Sequence, residues 1–221
     1  MRIGIVGSGL MGSKLGTIWA KAGHEVVFSY SRSRQKLERL AKNGGAKGRV
    51  GTPADATRDA HAVLLAVHWT RVDDVLAQVG ALSGKMLLTC SLPMSKNDSH
   101  MVIGHTTSGA EALAAKLLGA HVISAFSTVP SEALFPVFER RKKGRPPDLV
   151  YCGDNSGAKK TAASLIRDVG FNPVDLGPLS TARYVEPFSL LMAQLAYNGW
   201  DQPELAYRFE RLGKQPRRWT T

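Results

Sequence analysis

Cysteine is scarce: Cys90 and Cys152 are the two in 221 residues. Two thiols so far apart support neither a disulfide framework nor a metal cluster. Each lies in an apolar, strand-like run, where cysteine serves as a small buried hydrophobe. Long apolar runs are also missing. The best, Ala62 to Val67, is far short of the roughly 18 residues a membrane span needs. No basic segment followed by an apolar core precedes Arg2, so no secretory leader is read. The expected location is cytoplasmic, without a membrane partner. No Ser-His-Asp set, metal-ligand cluster or carboxylate pair stands out, and no metal is expected.

Acids are the next shortage. Against 29 Lys and Arg there are 18 Asp and Glu, leaving a net charge of +11. Basic residues gather in Arg140, Arg141, Lys142, Lys143 and Arg145, and again in Arg208, Arg211, Lys214, Arg217 and Arg218. Such a surplus suits phosphorylated ligands, nucleic acid or solubility. Neither aromatic interleaving nor a nucleic-acid motif accompanies these runs. They read as a solvated basic face, and nucleic acid is not an expected partner.

What is present is ordinary for a globular chain: 43% hydrophobic and 21% charged residues. The length fits one α/β domain with a small C-terminal addition. Strand-like runs occur at Arg2–Val6, Glu25–Ser29, about 49–51, Ala62–Val67, Met86–Cys90, His121–Phe126, Leu149–Cys152 and Pro173–Leu176. Helix-length segments separate the early ones, over Leu10–Ala22, Ser33–Lys42 and Thr70–Val79. Continuous apolar strands alternating with helices predict a Rossmann-type, doubly wound, mostly parallel sheet covered on both faces. The 91–109 stretch reads as a long functional loop and 139–148 as an exposed basic connection. A helical stretch, broken at Pro187, is expected to run to about Asn198, before a basic tail beyond Gly213. The division is therefore 1–178 for the nucleotide-binding domain and 179–221 for a helical extension. The break at Pro187 turns the second half of that helix over a pocket or into a homodimer interface, or serves packing alone.

Gly7-Ser8-Gly9-Leu10-Met11-Gly12 is a GxGxxG placed directly after the first strand and before the first helix. In that setting each glycine has a task. Gly7 makes the tight turn, Gly9 admits a pyrophosphate to the backbone, and Gly12 allows close helix–strand packing. Helix N-terminal N–H groups near Leu10 and Met11 then face the anion. An NAD site usually places Asp or Glu at the end of the second strand to hold the ribose 2′-hydroxyl. Here the chain reads Ser31-Arg32-Ser33-Arg34, with no acid between Glu25 and Glu38. Guanidinium groups clamp a 2′-phosphate that a carboxylate would repel. One of the serines is expected to cap the following helix. The reading is NADP(H).

These motifs resemble the family of NADP-dependent reductases typified by the F-420-dependent NADP oxidoreductase, and are similar to the cytoplasmic domains of STEAP ferric reductases. Beyond the loop and the Ser-Arg pair, the likeness rests on Leu64 to Trp69, Ser108-Gly109-Ala110-Glu111, Ala125 to Thr128, and the stretch from Gly170 through Arg183 to Glu186-Pro187. The resemblance implies hydride transfer between NADPH and a flavin or deazaflavin. Two positions depart from it: Leu92-Pro93 stands for the family's Asn-Pro, and Ser127 for the asparagine of Ala-Phe-Asn-Thr.

Ligands of open parallel sheets bind beyond the carboxyl ends of the strands. That rule selects Ala66, Val67, His68 and Trp69, then Ser91, Leu92 and Pro93, then Phe126 and Ser127. Ala66, Val67, His68 and Ser91 join the cofactor candidates, while His68, Trp69, Leu92, Pro93, Phe126 and Ser127 are candidates for the hydride pocket. Trp69 fits cofactor packing or rim packing equally. His68 fits an acid–base role or a hydrogen-bonding one. Phe126 walls the ring pocket or closes the core. Expected partners are a small-molecule hydride acceptor and a second copy of the chain.

Overall fold

The computed structural model describes residues 1–198 and 203–213. Arg2–Val6 (β1), Glu25–Ser29 (β2), Gly48–Val50 (β3), Ala62–Leu65 (β4), Met86–Thr89 (β5), His121–Ala125 (β6), Asp148–Gly153 (β7) and Asn172–Asp175 (β8) form one eight-stranded sheet. Its order is β3-β2-β1-β4-β5-β6-β7-β8. From β3 across to β6 every pairing is parallel. The central strands β4 and β5 are buried throughout, as strands covered on both faces must be.

The covering helices are Leu10–Lys21 (α1), Arg34–Asn43 (α2), Pro53–Arg58 (α3), Val72–Leu76 (α4), Gly109–Lys116 (α5), Leu134–Arg140 (α6), Ser156–Val169 (α7) and Ala182–Tyr197 (α8). On one face Trp19 of α1 and Leu165 of α7 pack with Ile5 and Phe28. On the other, Val75 of α4, Leu113 of α5 and Val185 of α8 pack with Val63 and Leu65. Each such side chain, fully buried, contributes about 1.5–3 kcal/mol of transfer free energy. The doubly wound architecture is the one the sequence predicts.

Local departures have physical reasons. Strand β4 ends at Leu65, so Ala66 to His68 leave the sheet. The helix expected over 70–79 is a 3-10 turn, Trp69–Arg71, followed by the short α4. Pro187 does not break its helix: α8 is continuous through it. The missing N–H leaves the Arg183 carbonyl without its helical donor, and tertiary ties on either side of the proline, described below, hold the axis.

One reversal shapes the molecule. Ile123 of β6 lies opposite Gly153 and Ala125 opposite Tyr151, so β7 runs antiparallel to β6, and β8 runs parallel to β7. The chain between β6 and β7 carries the short α6 and returns to the edge it left. Strands β7 and β8 therefore begin at the edge where β1, β4, β5 and β6 end. Residues 203–213 cross back over that edge. Asp148 donates its N–H to the Tyr207 carbonyl at 2.8 Å, and the Asp148 carboxylate accepts from Phe209 N at 2.6 Å. The basic residues Lys214, Arg217 and Arg218 lie outside the described residues. The outer strands are short: β3 has three residues, and β8 has four, with Pro173 among them.

Candidate cofactor and acceptor site

The glycine loop separates two kinds of constraint. At Gly7 (φ +111°) a Cβ would lie 2.3 Å from the Ala66 carbonyl oxygen, and at Gly12 it would lie 1.9 Å from that of Gly7. The chain's own packing demands both glycines. Gly9 differs, for no heavy atom stands within 4 Å of where its Cβ would be. It is the N-cap of α1, makes no side-chain cap, and no acid occupies the first turn. Ser8 anchors the loop, its N–H on the Tyr30 carbonyl at 3.2 Å and its Oγ on that of Ser29 at 2.9 Å. A space that a side chain would fill, facing N–H groups with no helical partner, has the shape and polarity for a pyrophosphate.

A cleft of about 750 Å³ extends from this loop toward the end of β2. Arg32, Ser31, Ser33 and Lys36 line it. Ser33 caps α2, its Oγ accepting from Lys36 N at 3.2 Å. Arg34 is placed elsewhere. Its Nε donates to Glu38 at 3.1 Å, with the side chain 86% exposed, and it does not line the cleft. Lys36, in the first turn of α2, is the second cation there, a residue the sequence reading missed. Across the cleft stand Arg71, Asp74 and Gln78. Tyr30, held at φ +54°, donates its hydroxyl to Asp74. Burial raises the Tyr30 hydroxyl pKa, and the Asp74 carboxylate reinforces the shift. Arg71, Asp74 and Gln78 lie well past the end of β4, in and after the 3-10 turn and α4, which is why the strand-end rule stopped short of them.

Ala66, Val67 and His68 line the same cleft. Ser91 Oγ donates to the Val67 carbonyl at 2.7 Å and accepts from Val67 N at 3.3 Å, fastening the β4 and β5 turns together. His68 accepts the Thr70 N–H on Nδ1 at 3.3 Å, while its Nε2 meets Asp98 at 3.0 Å. These contacts make His68 a fastener of the 91–108 loop. Trp69 packs against the core below α4 and lines neither cleft.

A second, smaller cavity of about 240 Å³ lies past the α1 N-terminus, among Met11, Cys90, Leu92, Phe126, Ser127 and Met192. Phe126 closes the core and also borders this cavity. It is fully buried, 6.0 Å edge-on from the Trp19 ring, and it walls the cavity. Its φ of +67° is unusual for a bulky residue and turns the chain so that Ser127 and Thr128 face inward. Ser127 accepts from Ser189 of α8 at 3.0 Å. Pro93 packs on Gly109 rather than lining the cavity. Burial pushes the Cys90 thiol up to about 12, which disfavours its thiolate form. Above the cavity Tyr197 donates to Glu132 at 2.9 Å.

Helix α8 is fastened by the residues that carried the C-terminal resemblance. The buried Glu186 carboxylate accepts from Gly109 N and Ala110 N, both at 2.9 Å. Burial drives its pKa up to about 7, against the pull of those two donors. Beside it Arg183 forks onto Glu111 at 2.6 and 2.9 Å, and that pairing, first of all, holds the Glu111 carboxyl below its ordinary value. Ser108 caps α5 through Glu111 N at 3.1 Å. These residues therefore clasp α5 to α8 and touch neither cleft.

Residues 2–93 match the family described as NADP oxidoreductase, coenzyme F420-dependent. The chain is similar to these NADP-dependent oxidoreductases. The oxidoreductase likeness reaches beyond that segment: the chain is 28% identical to metalloreductase STEAP3 of Rattus norvegicus over 225 residues, covering 97% of itself and 43% of the relative. With human metalloreductase STEAP2 it shares 25% over 193 residues, covering 87% of itself and 36% of the relative. It thus spans less than half the length of these relatives. In three dimensions it superposes with a TM-score of 0.83 on a protein provisionally named an F420-dependent NADP-reductase, from Arthrobacter sp. FB24. That match has 21% identity and covers 96% of this chain and 100% of the other. A reductive aminase of Aspergillus terreus, solved with NADPH, superposes at 0.62 with 18% identity, over 88% of this chain and 61% of that one. Those two structural matches establish the shared fold.

Proposed function

We propose that the protein binds NADPH in the cleft running from Gly9 to Lys36 and passes its hydride to a planar ring of flavin or deazaflavin type held in the cavity beside Phe126. The carrying observation is Gly9, whose missing side chain is required by nothing in the protein itself. The dinucleotide supplies the hydride. The chain's part is binding, alignment and exclusion of water. Arg32 and Lys36, with the hydroxyls of Ser31 and Ser33, surround the position of a 2′-phosphate. Phe126, Met11 and Leu92 give the ring cavity apolar walls, and Ser127 offers one polar contact. At about 240 Å³ the cavity is below the ~300 Å³ usual for a whole ligand, so it takes a ring and leaves the ligand's tail outside. Leu92 in place of asparagine favours an acceptor with less polar ring edges.

A stopped-flow record of NADPH oxidation against deazaflavin, FMN, riboflavin and a quinone tests this reading. Turnover with at least one ring acceptor, reduced about tenfold or more by Leu92→Asp or by filling the cavity with Ser127→Phe, is the expected result. Tight NADPH binding with no turnover on any acceptor would leave a nucleotide-binding module without catalysis. The likeness to STEAP proteins gives a second reading, in which reduced flavin passes electrons to ferric iron. Iron reduction that requires added flavin supports it.

A further inference from the structure

Arg208, from the second basic run, lies far from the first run in sequence, yet the fold brings it beside Arg140, Arg141, Lys143 and Arg145. Because β7 reverses, its first residue stands at the carboxyl edge of the parallel strands, and α6, the 141–147 connection and residues 203–210 meet there. Between them is a concave cleft of about 620 Å³, walled by Arg140, Arg141, Lys143, Arg145 and Arg208, with Glu204 the single acid among its lining residues. It shares no lining residue with the dinucleotide cleft.

Neutral groups hold several of these cations in position. Arg141 lies 3.8 Å over the Phe138 ring and donates to the Phe138 carbonyl at 2.6 Å. Arg208 donates to the carbonyls of Arg145 at 2.8 Å and Pro146 at 3.3 Å. Arg145 in turn donates to the Phe209 carbonyl at 3.0 Å, with Glu210 at 3.9 Å. Carbonyl partners fix a guanidinium without cancelling its charge. The C-terminal end of α6 favours cations at Arg140 and Arg141, but it gives no reason for Lys143, Arg145 and Arg208 to converge. Like charges on the walls of one concavity focus a positive potential into it.

We propose that this cleft is a second anion site, which binds a small ligand carrying two or more phosphoryl groups. Forked guanidinium donors match phosphoryl oxygens in geometry as well as in sign, and a cleft of this size admits a diphosphate and its attached group. The surface is concave and five cations line it, which suits a compact ligand better than an extended polymer or a membrane plane.

The test uses inorganic pyrophosphate and calorimetry on a Gly9→Val background, in which the glycine loop is blocked. Gly9→Val is expected to bind one pyrophosphate. Adding Arg140→Ala and Lys143→Ala, whose side chains make no ion pair among the described residues, should weaken binding at least tenfold with an unchanged circular dichroism spectrum. Lys143→Glu alone should weaken it severalfold, which preserves the test should the multiple variant unfold. Raising the salt from 50 to 200 mM should also weaken binding, because the cations are exposed. No binding by Gly9→Val, or equal binding by the Arg140/Lys143 variant, overturns the proposal. Phosphatidylserine vesicles or a single-stranded oligonucleotide, retained through Arg140 and Lys143 while pyrophosphate is not, would replace it with a membrane or nucleic-acid surface.

Discussion

Single side chains around the cleft proposed for the dinucleotide divide into those that line it and those that do not, and neighbouring positions fall on opposite sides. Arg32 lines the cleft, whereas Arg34, two residues on, is paired with Glu38. Calorimetry should therefore separate them. Arg32→Ala is expected to weaken NADPH by roughly 1.5–3 kcal/mol, the worth of a charge-assisted contact, and to leave NADH unchanged. Arg34→Ala is expected to alter neither by more than about 0.5 kcal/mol, as for other exposed pairs. Equal losses for both variants would count against the assignment. The signal for Arg34 was in the sequence, since an acid four residues downstream on a helix is a ready partner. Lys36 was harder to find: its approach to the cleft depends on where Ser33 starts the helix. Phe126 was legible as a wall or a core residue but not as both, because its left-handed backbone is set by packing that no local pattern encodes.

At the level of elements, the clasp between α5 and α8 has a pH signature of its own. The ordinary Glu value of 4.5 is raised in the folded protein to about 7, chiefly by burial. A carboxyl with a higher pKa folded than unfolded binds its proton more tightly in the native state. Its favourable contribution is complete below about pH 4.5, falls as pH rises toward 7, and is flat beyond. Glu186→Gln should remove that slope. The stability difference between wild type and variant is expected to move against wild type by on the order of 3 kcal/mol between pH 4.5 and 7.5, read by urea denaturation at each pH. A difference independent of pH would show that the two N–H donors of α5 offset burial in full. The sequence marked Ser108 to Glu111 and Arg183 to Glu186 only as shared residues. Their clasping role depends on contacts spanning more than 70 positions, beyond the reach of periodicity. Strand positions were read well because buried parallel strands are continuous apolar runs. The direction of β7 was not, since hydrophobicity carries no arrow.

For the whole molecule, ligand binding should appear as stability. NADPH at a hundred times its dissociation constant adds about 2.7 kcal/mol, which for a chain of this length is a Tm rise of about 5–10 °C. Gly9→Val should abolish that rise while keeping the ligand-free Tm within a few degrees, because the Cβ position at Gly9 is open space. A normal NADPH shift in this variant would move the dinucleotide away from the loop. The blunt outer strands bear on association. The sheet closes on one side with three residues at β3 and on the other with a four-residue strand containing Pro173. Short edges and an edge proline are poor templates for another strand. A second copy or partner is therefore expected to meet the molecule through helices and loops, and the short edges disfavour lengthening of the sheet into an aggregate.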